Sequence, residues 1–263
     1  MKVGIIGIGF IGSELAQFID KSKDFELIGV SDIDSSKATG LIKKLKNNRP
    51  KLMSIAELIK KSDLIIESAT KNAVWEILKN KNLDKRNKGL LIMSTGGLIG
   101  HLNLLAKIKK CSIYLPSGAI CGLDSIKSVS GKIKSLALTT TKSHASLESA
   151  PYIIRNKINL KNIEKKKTIF KGNLKNAVKG FPQNINVAAT LFLASKFKNI
   201  KIKIVADPNT KYNTHEVKAA GSFGVINSTT KNLPSKNPRT SYLALLSAIN
   251  VLKSIRGNLK IGN

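Results

Sequence analysis

Three glycines, one aspartate and one histidine carry the residue types and spacings in this 263-residue chain that point to chemistry. Gly7, Gly9 and Gly12 stand in "GIGFIG", a G-x-G-x-x-G pattern that directly follows the apolar run "KVGIIG" and opens a segment of helical spacing. In such a turn the first glycine permits the tight bend, the second lets a pyrophosphate approach the backbone, and the third lets helix and strand pack closely. The N–H groups of the first helical turn, which includes Phe10 and Ile11, then face the phosphates. Asp32 closes the next apolar run, about twenty residues past Gly12, where an acidic residue of a dinucleotide site is required. Its carboxylate suits a ribose diol and repels a 2′-phosphate, so NAD is expected ahead of NADP, with Lys37 close enough in sequence to allow either. The alternative for the glycines is a glycine-rich turn in some other α/β fold.

The histidine is His215, in "NTHEVKAAG" just after the strand-like "IVADP". Imidazole exchanges protons near neutrality, yet an isolated histidine is more often a satisfied structural residue, so its surroundings must decide. His101 and His144 have no comparable surroundings and read as surface or loop residues.

These groups need elements to hold them. Residues 2–7 read as a strand and 12–21 as an amphipathic helix, with Leu15, Phe18 and Ile19 on one side. Further apolar runs at 25–32, 63–70, 89–95 and 112–118 are separated by segments of helical length, the alternation of a parallel sheet covered on both faces. After Gly118 the texture changes to period-two stretches at 133–142, 166–172, 200–208, 214–221 and 222–230, with two helices inserted at 173–181 and 185–197. A final helix, "SYLALLSAINVLKSI", starts from Thr240 or Ser241. The expected fold is α/β: a Rossmann-type doubly wound parallel sheet, a second α+β catalytic domain, and a C-terminal helix returning to the first domain. The expected boundaries are 1–116 for the dinucleotide domain, 117–236 for the catalytic and oligomerisation domain, and 237–263 for the returning helix. "ESAT" and "STGG" end two strands beside the expected crevice; there Glu67 is either a ligand contact or a buried carboxylate paired by backbone N–H groups.

The formal charge of +29 raises the question of a polyanionic partner. The lysines are spread from Lys2 to Lys260 with no aromatic residues interleaved to stack on bases, so no nucleic-acid partner is expected; the excess charge reads as solvated faces that steer small anions. The apolar start is broken by glycines and runs into a helix, so neither a signal peptide nor a membrane span is expected. Cys111 and Cys121 form no C-x-x-C and no metal site, which makes a reducing cytoplasm the default.

"LPSGAICGLD", "FKGNLKNAVKGFPQNINVAATL", "IVADPNTKYNTHEVKAAGSFG" and "NPRTSYLALLSAI" follow "GIGFIG" in the order and at the spacing of the L-aspartate dehydrogenase family, which the chain resembles over nearly its whole length. The resemblance implies oxidation of L-aspartate to 2-iminosuccinate with NAD or NADP as cofactor. That product either hydrolyses to oxaloacetate and ammonia or passes on towards quinolinate and NAD. It makes His215 the catalytic residue and puts Ala119 and Asn186 at the cofactor, although Asn186 also reads as a helix cap. Ser117, Lys142 and Asn184 are the expected substrate contacts, and a homodimer or homotetramer the expected assembly. Cys121 stands where the family usually has alanine and reads as a small buried substitute. "TTTKSH" keeps only Lys142 of an Arg–Lys pair common in relatives, and Arg239 replaces a usual lysine, as a substrate cation or in an interdomain salt bridge. Dihydrodipicolinate reductases and homoserine dehydrogenases share the two-domain plan but lack this motif combination; a non-catalytic NAD-binding sensor is opposed by His215 beside intact glycines.

Overall fold

The computed structural model describes residues 1–182, 185–235 and 240–261, so Asn184 and Arg239 lie outside the described residues. The chain forms two compact units, Met1–Pro116 with Leu245–Leu259, and Ser117–Ala244 with the chain end.

The first unit alternates β1 (Lys2–Ile6), α1 (Phe10–Asp20), β2 (Glu26–Ser31), α2 (Ser35–Ile42), β3 (Lys51–Leu52), α3 (Ile55–Lys61), β4 (Leu64–Glu67), α4 (Lys71–Lys79), β5 (Gly89–Ile92), α5 (Leu102–Lys107) and β6 (Ser112–Tyr114). All pairs are parallel, in the order β3-β2-β1-β4-β5-β6. β4 and β5 are buried along their full length, as "LIIE" and "GLLI" require when helices cover both faces. The order reverses between β1 and β4, and the crevice beyond their carboxyl ends is where such sheets bind ligands. Leu245, Ala248 and Leu252 of the last helix recur at helical spacing and join Leu15, Ala16 and Ile19 in this unit's core, which accounts for the return of the chain's end.

The second unit contains α6 (Leu123–Ser128), β7 (Ile133–Lys142), α7 (Pro151–Arg155), β8 (Lys167–Gly172), α8 (Leu174–Gly180), α9 (Asn186–Ser195), β9 (Lys201–Ala206), β10 (Asn213–Gly221), β11 (Gly224–Asn232) and the start of α10 (Tyr242–Arg256). Its mixed sheet has the order β11-β10-β7-β9-β8, with only β7 and β9 parallel. Alternation along β7 and β10 sends Leu136, Leu138, Thr140 and Lys142, and Asn213, His215, Val217 and Ala219, to buried positions. Two details differ from the sequence reading. Gly221 and Gly224 pair across a two-residue turn, so β11 begins two residues later than expected, with Gly224 at φ +104°. The short helices α6 and α7 are too brief for a periodic signal. No helix among the described residues is long and apolar enough to cross a membrane.

Candidate active site

In the first unit, β1 ends at Ile6 and Gly7 turns the chain at φ +91°, in the left-handed region that glycine occupies without strain. A Cβ on Gly7 would stand 2.6 Å from the Ala69 backbone, and one on Gly12 only 1.9 Å from the Gly7 carbonyl oxygen. Gly9 differs, because a Cβ there meets nothing within 4 Å. Gly7 and Gly12 therefore serve close packing, whereas Gly9 keeps a space open at the N-terminus of α1, as a pyrophosphate cradle needs. The Ser68 hydroxyl donates to the Gly7 carbonyl at 2.9 Å and holds the turn from below. Phe10 and Ile11, both half-buried, start α1 and present its first N–H groups.

Asp32 follows β2 and is oriented by two backbone donors, Ile8 N–H to Oδ2 at 2.6 Å and Asp34 N–H to Oδ1 at 2.9 Å. Each oxygen retains a lone pair for a hydroxyl. Lys37 lies 3.6 Å from Asp34 in an exposed pair. Glu67 is fully buried and accepts from Ala69 N–H at 2.8 Å and Ser94 N–H at 3.0 Å, while burial pushes its carboxyl up to about 7. Of the two readings of Glu67, the structure gives the buried, backbone-paired one.

In the second unit, β10 places His215 on the buried face, 3% exposed and directly opposite Thr140 on β7 and Thr230 on β11. The Thr140 hydroxyl lies 3.0 Å from His215 Nδ1, which fixes the ring orientation and leaves Nε2 for a reacting group. Lys142, two residues along the same face of β7, is 4% exposed, and burial lowers its pKa to about 8. Burial first, and the Lys142 ammonium second, bring His215 down to about 3. This corrects the expectation of an imidazole titrating near neutrality: the site holds His215 neutral across ordinary pH.

Ala119 is buried in the turn after β6, Ser117 is half-buried two residues earlier, and Asn186 is exposed as the first residue of α9. The residue before it, Ile185, occupies the capping position, so Asn186 is not the cap. Cys121 is exposed, not buried, because the turn that buries Ala119 and Ile120 releases the next side chain outward. The Ala119 carbonyl accepts from Thr230 Oγ1 at 2.7 Å and from Asn232 Nδ2 at 2.9 Å. Sequence reasoning missed Thr140, Thr230 and Asn232. The signal was present in "NSTTKN", whose polar residues at 228, 230 and 232 share one face of β11 with that of Asn213 and His215.

Comparison with known proteins discriminates between the two units. Residues 7–116 match the model of the homoserine dehydrogenase NAD-binding domain, and residues 124–255 match that of the aspartate dehydrogenase C-terminal domain. The chain is 42% identical to an L-aspartate dehydrogenase of Methanosarcina mazei over 100% of its own length and 99% of the relative. It is 40% identical to one from Nitrosopumilus maritimus, with 96% and 95% of the two chains covered. The crystal structure of aspartate dehydrogenase from Thermotoga maritima superposes with a TM-score of 0.75 at 26% identity, covering 99% of both chains. A fold of this type, a glycine cradle of this geometry and relatives of this identity along the full length converge on one conclusion: the chain belongs to the L-aspartate dehydrogenase family.

Proposed function

We propose that the protein oxidises L-aspartate to 2-iminosuccinate and that His215 is its acid/base. The observation that carries this reading is the buried trio of Thr140, His215 and Lys142 on adjacent strands, which combines an oriented imidazole with a cation. A bound NAD or NADP supplies the hydride acceptor; the open space at Gly9 and the oriented Asp32 fit its pyrophosphate and ribose, with NAD favoured because the Asp32 carboxylate repels a 2′-phosphate. Ala119 and Asn186 are further contacts for the cofactor, as the family resemblance implies.

Lys142 receives a substrate carboxylate, with Ser117 and Asn184 as further substrate contacts. The substrate's carboxylates offset the ammonium's repulsion of the imidazolium, the second cause of the low His215 pKa after burial, and so raise it from about 3. Thr140 holds Nδ1, so Nε2 is positioned to take the proton that leaves the amine, or to activate the water that adds to the imine. The imine then hydrolyses to oxaloacetate and ammonia or serves quinolinate formation. Two free thiols suit a reducing compartment such as the cytoplasm, and assembly into a homodimer or homotetramer accompanies this reading.

The test is aspartate-dependent reduction of NAD compared with NADP, in the wild type and in His215→Asn. Turnover should fall by roughly 10²–10⁴-fold in the variant, with NADH affinity unchanged because the glycine cradle belongs to the other unit. A variant that loses thermal stability or cofactor affinity but keeps its turnover per folded enzyme defeats the catalytic role.

A further inference from the structure

The turn from Ser117 to Gly122 is tied to β11 by a row of side chains. Ser228, Thr230 and Asn232 occupy alternate positions, so all three project to one face of the strand. The Ser228 hydroxyl donates to the Cys121 carbonyl at 3.3 Å. The Thr230 hydroxyl donates to the Ala119 carbonyl at 2.7 Å, and Asn232 Nδ2 reaches the same oxygen at 2.9 Å. Asn232 Nδ2 also lies 3.2 Å from Thr230 Oγ1 and 3.2 Å from the carbonyl of Asn213, two residues before His215. Thr230 itself pairs directly with His215 across the β10–β11 ladder. One carbonyl with two side-chain donors, one of them 5% exposed, is a built junction between a turn and the strand that carries the imidazole.

We propose that Thr230 and Asn232 are positioning residues that lock the Ala119 turn in register with His215, and so set the distance between the cofactor contact and the proton acceptor. This rests on the reading of Ala119 and His215 given above. The ladder provides the ruler: β10 and β11 are continuously paired from Asn213–Asn232 to Gly221–Gly224, so the turn anchored at residues 228, 230 and 232 cannot shift along β10 without breaking its bonds. Hydride and proton transfer from one substrate carbon and its nitrogen require both groups to be placed together, and a misplacement of about 1 Å costs up to ~10²-fold.

The experiment compares Thr230→Val, which keeps shape and removes the donor, with Thr230→Ser, which keeps the donor. The readouts are kcat, the primary isotope effect with aspartate deuterated at C2, the Kd of ADP-ribose and the melting temperature. Thr230→Val should lower kcat by roughly 10–100-fold and raise the isotope effect, with ADP-ribose binding unchanged; Thr230→Ser should restore both. A merely structural threonine lowers the melting temperature and leaves the isotope effect at the wild-type value, and that result overturns the proposal, as does a Thr230→Val enzyme within twofold of wild-type kcat. If Thr230→Val fails to fold, the same comparison is made with Asn232→Ser, and a wild-type isotope effect there also overturns it. A wild type that does not oxidise aspartate removes the reading of the site itself, an outcome visible before any variant is made.

Discussion

Gly9→Ala and Gly12→Ala make opposite demands on the fold, and their comparison tests whether the first unit is a dinucleotide cradle. At Gly12 the added Cβ falls 1.9 Å from the Gly7 carbonyl oxygen and 2.7 Å from Ser68 Oγ, where contacts below 3.0 Å essentially never occur. Helix α1 must therefore withdraw from the β1 turn, pulling on Leu15, Ala16 and Ile19, all fully buried. Alanine gains about 1 kcal/mol of helix propensity over glycine, but overpacking against backbone belongs at the top of the ~1–3 kcal/mol range. The net loss of about 2 kcal/mol lowers Tm by roughly 4–8 °C in a chain of this size. At Gly9 the backbone is extended at φ −78°, open to any residue, and the Cβ meets nothing within 4 Å. The cost is that of an alanine helix cap, at most about 1 kcal/mol. The methyl group then occupies the space the pyrophosphate needs, and overpacking there of about 1–3 kcal/mol weakens NADH binding by roughly 5–150-fold. Thermal denaturation and NADH fluorescence titration of both variants decide the matter. A Gly9→Ala protein that binds NADH as the wild type does refutes the cradle.

Two further outcomes follow from the same geometry. Asp32→Asn should lower kcat/KM with NAD by roughly tenfold or more, the price of a charged hydrogen bond, and shift the balance towards NADP; a wild type that clearly prefers NADP contradicts the role of Asp32. Only protonated Lys142 attracts a carboxylate, so binding of the dicarboxylate succinate, followed by calorimetry, should weaken as pH rises through about 8, and Lys142→Met should bind weakly at every pH; a Lys142→Met enzyme that binds succinate as tightly as the wild type does near neutral pH removes Lys142 from the substrate site.

The parts of the site legible in the sequence are those that act locally. The glycine turn, its helix and Asp32 are specified by neighbours in the chain, and "GIGFIG" after "KVGIIG" encodes all of them. His215 was found through the motif around it, but its electrostatic state depends on groups distant in sequence. Thr140 lies 75 residues away, and Lys142 beside it belongs to the same strand. Period two marks β7 and β10 as strands but does not say that they pair with each other. The bond from Asn232 to Ala119 spans 113 residues, and an alanine has no side-chain chemistry to advertise a role played by its carbonyl. Cys121 misled for a related reason: the size of a side chain does not say which way it points out of a turn.

The two family matches divide along a physical line. The first unit offers a ligand backbone N–H groups, the absence of a Cβ at Gly9 and one oriented carboxylate, features that recognise a dinucleotide without reference to the reaction it serves. A match to the NAD-binding domain of homoserine dehydrogenase is what such a generic cradle should produce. The second unit offers side chains: an imidazole, an ammonium and hydroxyls buried together on one sheet face. Burying Lys142 beside His215 disfavours the charged form of both, and negative charge on a bound ligand opposes this. A dicarboxylic amino acid does so, while an uncharged hydroxy compound leaves the imidazole a weak base near 3. The roles proposed for His215 and Lys142 therefore predict that a neutral analogue of aspartate loses turnover even when enough of it is supplied to fill the site, and turnover equal to that of aspartate under saturation refutes them.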